Sequence, residues 1–213
     1  MLYKKDINTA AETVFKGGVV IIPTDTIFGF SCDPRNETAV TGIRTLKQRD
    51  KKPFIILDSS PERVKDRYFC STNFISEIIE LMISEKIWPG SVTLIADKNP
   101  ELKLGFLSGY DKIAVRFTTN EVIRSICDKI GYGIISTSIN VSGEPEINDI
   151  NRIKTDWCGK VDYILDISTH GTTASTIIEL FTDEKKLRFL RVKDMITRDK
   201  LEKIISNRYE LCP

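Results

Sequence analysis

Histidine and closely spaced cysteines, the residues that build most transition-metal sites, are nearly absent from this sequence. Among 213 residues there is one histidine, His170, and there are five cysteines, of which the nearest pair in sequence, Cys127 and Cys158, is 31 residues apart. The odd cysteine count and the lack of a Cys-x-x-Cys motif argue against a zinc site or a disulfide framework, and they are typical of a reducing compartment. His170 is the single candidate for a histidine-dependent triad, and its position before Gly171 favours an ordinary loop residue.

Long hydrophobic runs are also missing. The apolar run Val19–Ile22 stops after four residues at Pro23, whereas a membrane-spanning helix needs about 20 apolar residues. The first residues, Met1 to Asp6, lack the apolar stretch of a signal peptide. We therefore expect a cytoplasmic protein with no membrane partner.

Charge of either sign is nearly balanced, since 31 Lys and Arg residues against 30 Asp and Glu residues give a net charge of +1. This balance excludes a strongly basic nucleic-acid coat protein. One short stretch is nevertheless basic, with five cations against the single anion Asp50; the cations are Arg44, Lys47, Arg49, Lys51 and Lys52. Such a cluster suits a small polyanion, although the solvated end of a helix explains it equally well.

What is present is the composition and pattern of one α/β domain. The length favours a single domain over residues 1–213, and 41% hydrophobic with 29% charged residues is typical of a globular chain. Short β-branched runs alternate with helical patterns. The predicted strands are Val19–Pro23, Phe54–Leu57, Val92–Ala96, Ile113–Phe117, Gly133–Thr137, Tyr163–Ile167, Thr176–Leu180 and Leu187–Val192. Two predicted helices cover about residues 8–16 and 36–47. Three more are predicted: one after Ser71 or Thr72, one after Thr119 and one that starts at Thr197.

Polar segments follow several of these strands, where open α/β sheets bind ligands. They are Pro23–Gly29, Lys47–Pro53, Trp88–Leu94, Arg116 after Ile113–Val115, Ser136–Pro145, and Ala174–Thr176 with Arg191. Each has a structural alternative: Thr and Asp after a strand commonly form a turn, and Arg116 could lie at a solvated sheet edge. No GxGxxG, Walker or Gly-x-Ser-x-Gly motif occurs, so the common nucleotide and hydrolase signatures are absent.

The order of these segments resembles the YrdC-like family over roughly residues 8–192. The shared motifs are Pro-Thr-Asp-Thr, Lys-x-Arg followed by Lys-Pro, Trp-Pro-Gly-x-x-Thr-Leu, Ala-Val-Arg, Ser-Thr-Ser-x-Asn-x-Ser-Gly, Ser-Thr and a late Leu-Arg. The resemblance implies a twisted mixed sheet flanked by helices, with a concave basic cavity and no C-terminal extension domain. It also implies a threonylcarbamoyl-AMP synthase. Such an enzyme joins L-threonine, bicarbonate or CO2, and ATP, releases pyrophosphate, and supplies the machinery that makes N6-threonylcarbamoyladenosine in tRNA.

The same resemblance assigns roles to particular residues. It implies that four residues bind L-threonine: Thr26, Arg116, Ser138 and Ser175. It implies that six residues bind ATP, the first two also acting in catalysis: Lys47, Arg49, Lys52, Asn140, Asn148 and Arg191. No side chain is identified as a metal ligand, and Mg²⁺ is expected to arrive with ATP.

The chain departs from the family pattern at four places. Phe28 stands where Tyr is usual, Ile139 replaces Ala beside Ser138, the spacing to Lys52 is one residue short, and Val192-Lys193 follows Arg191 without a glycine. The alternative is therefore a relative of the same fold that binds RNA or a nucleotide without catalysis. Weak binding of tRNA or other RNA is compatible with either hypothesis, but the near-zero net charge argues against tight duplex binding.

Overall fold

The computed structural model describes residues 4–49, 52–167, 171, 173–193, 195–206 and 208–212. Within these ranges the helices are α1 (Lys4–Phe15), α2 (Glu37–Lys47), α3 (Pro61–Arg63), α4 (Asn73–Ser84), α5 (Glu121–Ile130), α6 (Ile150–Trp157) and α7 (Met195–Ile205). The π-helical turn Val64–Tyr68 continues α3, and a 3₁₀ turn covers Gly105–Leu107. None of the helices in the described ranges combines the length and the apolar character that crossing a bilayer requires.

The strands form one mixed sheet. They are β1 (Val20–Ile22), β2 (Gly29–Cys32), β3 (Ile55–Asp58), β4 (Val92–Asp97), β5 (Lys112–Phe117), β6 (Ile134–Ser138), β7 (Tyr163–Ile164), β8 (Thr176–Phe181), β9 (Lys186–Arg191) and β10 (Glu210–Leu211). Their order is β10-β9-β8-β4-β5-β3-β6-β2-β1-β7. The pairs β1–β7, β3–β5, β4–β8 and β9–β10 are parallel and the others antiparallel. The predicted α/β class with a mixed sheet is confirmed.

Short polar side chains begin α2 and α4 as the sequence predicts, whereas α1 starts four residues earlier than predicted and α7 starts at Met195 instead of Thr197. Asn36 accepts a hydrogen bond from the Ala39 N–H at the start of α2, and Thr72 does the same for the Ile75 N–H at the start of α4. The prediction that Thr119 begins α5 is wrong by one residue. Asn120 is the cap there, because its amide oxygen can accept from two backbone N–H groups at once.

Five elements were missed: β2, α3 with its π-helical turn, the 3₁₀ turn, α6 and β10. Of these, β2 and α6 depend on distant contacts. Strand β2 is only four residues long and starts at a glycine, yet it pairs with β1 on one side and β6 on the other, and all four residues are buried. Helix α6 has eight residues and is held by the buried side chains Ile153 and Trp157. Conversely, the predicted strand Tyr163–Ile167 pairs only over Tyr163–Ile164, at the edge of the sheet.

The two faces of the sheet are covered to different extents. Side chains of α2, α4, α6 and α7 join one large apolar core, whereas α1 and α5 join a smaller core that includes residues of β1, β3 and β6. Beyond that second core, Ile95 in β4, Ala114 in β5 and Ile177 in β8 are only half-buried. Residues on alternate positions of a strand share a face, so this part of the sheet forms the floor of an open cavity.

Candidate active site

A cavity of about 290 Å³ lies over this floor. Its polar lining residues are Thr24, Thr26, Arg49, Arg116, Ser136, Thr137, Ser138, Glu146, Ser175 and Arg191. Its apolar lining includes Phe28, Pro53, Phe54, Ile95, Ala114 and Ile177. The expectation that ligand-binding groups lie on loops at strand ends is therefore incomplete, since strand residues supply the floor.

The turn between β1 and β2 forms one wall of the cavity. The Thr24 hydroxyl donates to the Ile27 carbonyl at 2.7 Å and accepts from the Thr26 N–H at 3.1 Å. These hydrogen bonds fix the conformation of the turn, and they hold the Thr26 hydroxyl 3.0 Å from the Thr24 hydroxyl. The turn therefore presents two buried hydroxyl groups at fixed positions.

Arg116, near the end of β5, reaches across to this turn. Its guanidinium donates to the Thr26 hydroxyl at 3.1 Å and to the Thr24 hydroxyl at 3.4 Å, and it lies 3.2 Å from the Asp25 carboxylate. Burial lowers the pKa of Arg116, the Asp25 charge opposes that effect, and the positive charge of Arg191 adds to it. The alternative of a solvated edge arginine is wrong, because Arg116 is only 4% exposed.

Ser175 and Arg191 form the opposite wall. Arg191 donates from Nε to the Ser175 carbonyl at 2.7 Å and from Nη2 to the Ser175 hydroxyl at 3.1 Å. The same hydroxyl lies 2.9 Å from that of Thr93 in β4. The replacement of glycine by Val192-Lys193 leaves this wall connected, since the Lys193 N–H donates to the Thr176 hydroxyl.

Arg49 enters the cavity from the end of α2. The preceding Gln48 has φ of 47°, a left-handed conformation that stops the helix. The Arg49 guanidinium then donates to the Thr137 hydroxyl at 3.2 Å and the Pro53 carbonyl at 2.9 Å, and its Cζ lies 4.9 Å from the centre of the Phe54 ring. Burial lowers the pKa of Arg49, and the nearby Arg44 lowers it further.

Lys47 and Asn140 contact each other and do not line the cavity. The Lys47 ammonium donates to the Ser138 carbonyl at 2.6 Å, the Asn140 carbonyl at 3.0 Å and the Asn140 amide oxygen at 2.7 Å. The Ser138 hydroxyl donates to that amide oxygen as well, at 2.7 Å. Lys47 thus fixes the segment that carries Ser138, and direct contact of Lys47 or Asn140 with ATP stays a prediction.

Asn148 connects two segments near the cavity through hydrogen bonds of its side-chain amide. Its amide oxygen accepts from the Phe28 N–H at 3.0 Å, and its amide nitrogen donates to the Gly171 carbonyl at 3.1 Å. A side chain at position 171 would have its Cβ only 1.7 Å from the Thr26 carbonyl oxygen, so glycine is required where the chain passes Thr26. Asn148 does not line the cavity, and its role as an ATP ligand stays a prediction.

The remaining sequence predictions fall outside the cavity. Lys52 is exposed and is not a lining residue. Ile139 is fully buried in the large apolar core, so it does not narrow the space beside Ser138. His170 and Lys51 lie outside the described residues.

Sequence reasoning missed four polar lining residues, Thr24, Ser136, Thr137 and Glu146, and one charged neighbour, Asp25. Thr24, Ser136, Thr137 and Asp25 belong to motifs that the sequence singled out, but no role was given to them. Glu146 had no signal at all, since it lies in an exposed segment without a motif. It is the one carboxylate among the lining residues in the described part of the chain.

No dedicated metal centre is present among the residues that the structure describes. No three His, Cys, Asp or Glu side chains in these ranges lie close enough together to hold an ion. All five cysteines are free, and Cys32 and Cys127 are buried. Burial raises the pKa of Cys127 to about 12, with the Asp58 charge adding to the effect, so this thiol is a poor nucleophile at neutral pH.

Comparison with known proteins connects this cavity to one family. The family model Sua5/YciO/YrdC, described as "Telomere recombination", matches residues 12–192. A threonylcarbamoyl-AMP synthase of Idiomarina loihiensis is 33% identical over 169 residues, which cover 79% of this chain and 90% of that protein. A threonylcarbamoyl-AMP synthase of Coxiella burnetii is 30% identical over 168 residues, which cover 77% of this chain and 86% of that protein.

The fold is also similar to that of a solved protein with a bound amino acid. P. abyssi Sua5 complexed with L-threonine superposes with a TM-score of 0.79 at 26% identity. The match covers 98% of this chain and 59% of that one. The present chain thus corresponds to a little over half of that relative.

Proposed function

Because the chain belongs to the Sua5/YciO/YrdC family, we propose that it is a threonylcarbamoyl-AMP synthase. The reaction uses L-threonine, bicarbonate or CO2, and ATP, and it releases pyrophosphate. The observation that carries the proposal is the junction of Arg116 with the hydroxyls of Thr24 and Thr26 on the wall of a cavity that Arg49 and Arg191 also line.

The chemistry needs positioning more than a reactive side chain. The threonine amine captures CO2 as a carbamate, and a carbamate oxygen then attacks the α-phosphorus of ATP. A new P–O bond forms, the bond from the α-phosphorus to the bridging oxygen breaks, and pyrophosphate leaves with that oxygen. Holding the reactants in line and neutralising phosphate charge can supply most of the acceleration of such a step.

Each cavity residue has a role in this scheme. Arg116 would bind the threonine carboxylate, because a guanidinium can donate two parallel hydrogen bonds to it. Thr26, Ser138 and Ser175 would bind the rest of the amino acid through their hydroxyl groups. This assignment leaves the other two arginines for the nucleotide.

Arg49 and Arg191 would face the ATP phosphates, and Lys52 could join them from its exposed position. Lys47 and Asn140 would act on the nucleotide mainly through the Ser138–Asn140 segment that they hold. Mg²⁺ would enter with ATP and neutralise phosphate charge, with Glu146 as the lining carboxylate available to it. The positive charges of Arg49, Arg191 and Lys52 would give the cavity its basic character.

The product is an activated intermediate, so a second enzyme must consume it. The proposal places that step in the cytoplasmic tRNA threonylcarbamoyltransferase machinery, which transfers the threonylcarbamoyl group to adenosine in tRNA. Weak tRNA binding by this chain would be consistent with such a hand-over.

Pyrophosphate release from ATP, measured with and without L-threonine and bicarbonate, tests the proposal. We expect release that depends on both. Arg49→Ala should lower it roughly 10- to 150-fold, the equivalent of one lost charge-assisted contact, while Arg152→Ala, at an exposed helix position, should not. ATP binding without threonine-dependent release would favour a non-catalytic nucleotide-binding protein. RNA affinity with steep salt dependence and no turnover would favour the RNA-binding alternative.

A further inference from the structure

Asp25 has bonding capacity that the protein itself does not use. Among the described residues it is the one carboxylate whose two oxygens are both closed to solvent and accept no hydrogen bond. A buried acceptor without a donor destabilises a protein, and a charged one does so more strongly. A group that donates hydrogen bonds and carries positive charge would remove this cost.

Arg116 lies 3.2 Å away and fills only part of this need. The pair satisfies the distance of an ion pair, but its geometry is not that of a hydrogen bond. Arg116 Nε is likewise buried and has no partner. Asp25 therefore keeps negative charge that no hydrogen bond within the described structure stabilises, and Arg116 keeps one unused donor.

An α-amino acid has the matching arrangement of charge. Its ammonium and carboxylate groups are attached to one carbon atom, so an anion and a cation a few ångström apart in a protein can bind both groups. Asp25 and Arg116 provide such a pair at 3.2 Å. The two threonines that flank Asp25 both line the cavity, and so does Arg116, whereas Asp25 lies directly behind them, so that its charge would act on a ligand across this wall.

Two parts of the cavity wall also differ in net charge. Arg116 is balanced by Asp25, which makes that wall neutral overall. Among the other lining residues, Arg49 and Arg191 outweigh the single carboxylate Glu146, whose charge acts on Arg191 without forming an ion pair in the described part of the chain. A neutral wall favours a zwitterion, and an unbalanced one favours a polyanion such as a triphosphate. The two substrates would thus be directed to different parts of one cavity.

We propose that Asp25 supplies the negative charge that selects a substrate bearing an ammonium group beside its carboxylate. This assignment rests on the proposed function and extends it, since it makes Asp25 a specificity-determining residue of the amino-acid site. Arg116 alone would hold any carboxylate equally well.

The test compares two ligands on two proteins. L-Threonine and (R)-3-hydroxybutyrate, which is threonine without its amino group, are titrated calorimetrically into the whole protein and into Asp25→Asn. In the unchanged protein we expect threonine to bind roughly 10- to 150-fold more tightly than 3-hydroxybutyrate. In Asp25→Asn the two affinities should become similar, while the affinity for ATP is unchanged.

Other outcomes have distinct meanings. If Asp25→Asn weakens both ligands by the same factor, Asp25 only positions Arg116 and the inference is wrong. If the unchanged protein binds both ligands equally, the inference is wrong whatever the variant does. If the unchanged protein neither binds threonine nor releases pyrophosphate with it, the proposed function itself fails.

Two further variants serve as controls. Asp156→Asn removes a carboxylate that pairs with Arg152 at 3.4 Å on an exposed helix, and it should leave both affinities unchanged. Asp25→Glu keeps the charge and should retain the preference for threonine, which covers the case in which Asp25→Asn does not fold. Loss of that preference in a folded Asp25→Glu variant would contradict the inference.

Discussion

The cations that the sequence groups together serve different purposes in the folded protein. Arg49 and Arg116 both line the cavity, and each donates a hydrogen bond to a hydroxyl group of the cavity wall. Lys47, two residues from Arg49, is 3% exposed and donates to three oxygens of the Ser138–Asn140 segment. Positive charge therefore lines the cavity in one place and fixes a loop in another.

The buried ammonium of Lys47 gives a pH-dependent contribution to stability. Burial, helped by the charge of Arg49, lowers its pKa in the folded protein to about 8, against about 10.4 in an unfolded chain. Between these values the unfolded state binds more protons, so this contribution grows as pH rises and is lost as pH falls through about 8. We expect the free energy of unfolding of the parent to rise by up to ~3 kcal/mol relative to Lys47→Met between pH 8 and 10.5.

Urea unfolding at several pH values measures this difference. Lys5→Met, an exposed position on α1, is the control and should follow the parent at every pH. A constant difference between the parent and Lys47→Met across this range would contradict the lowered pKa.

Buried hydrogen bonds at the end of strand β3 fix this strand to neighbouring elements. Asp58, at its end, is fully buried and accepts from the Arg63 guanidinium at 2.7 to 3.0 Å and from the Tyr68 hydroxyl at 2.5 Å. The Tyr68 hydroxyl in turn accepts from the Gly133 N–H at 2.9 Å, just before β6. One buried carboxylate thus joins β3, α3 with its π-helical turn, and the start of β6.

Removal of the Tyr68 hydroxyl should destabilise this junction without changing the chemistry. Tyr68→Phe leaves an oxygen of Asp58 and the Gly133 N–H without this partner, and a buried group left unsatisfied costs about 1–3 kcal/mol. The midpoint of urea unfolding should fall accordingly, while turnover at low temperature is retained. Tyr163→Phe, at a half-buried position on edge strand β7, is the matched control. An unchanged midpoint for Tyr68→Phe would show that the junction adds nothing to stability.

Selectivity among amino acids belongs to the molecule as a whole, because no single element forms the cavity. The β1–β2 turn, β5, β6 and the segment just before β8 each contribute one hydroxyl or guanidinium group to the proposed threonine site. Such a site recognises a substrate only when all of these elements are folded together.

We expect threonine to be the best substrate, then serine, then valine. A site built to bond a substrate hydroxyl can reject an analogue without it by ~10⁴–10⁵, whereas one missing methyl group costs only ~10–200-fold. The extra bulk of Ile139 does not alter this order, since its side chain lies in the core. Pyrophosphate release with bicarbonate and each amino acid measures the order. Equal turnover with valine and serine would mean that the site does not read the hydroxyl group.

Local chemistry in the sequence was enough for the α/β class, most strands and helices, and the segments that form the cavity. Helix caps such as Asn36 and Thr72, short apolar runs and polar turns act within a few residues, so they can be read from the chain. The motif order was also enough to name the family and to place Thr26, Arg49, Arg116, Ser138, Ser175 and Arg191 among the ligand-binding candidates, all of which line one cavity.

Only the tertiary structure decided which of the candidates line the cavity and which hold other residues in place. Strand β2 exists because β1 and β6 flank it, and the acceptors of Lys47 are 91 and 93 residues away. Asp25, in the turn between β1 and β2, gains its ion-pair partner Arg116 from β5, 91 positions along the chain. The physical reason is that burial and pairing depend on neighbours that the sequence keeps far apart, whereas propensity and capping depend on adjacent residues.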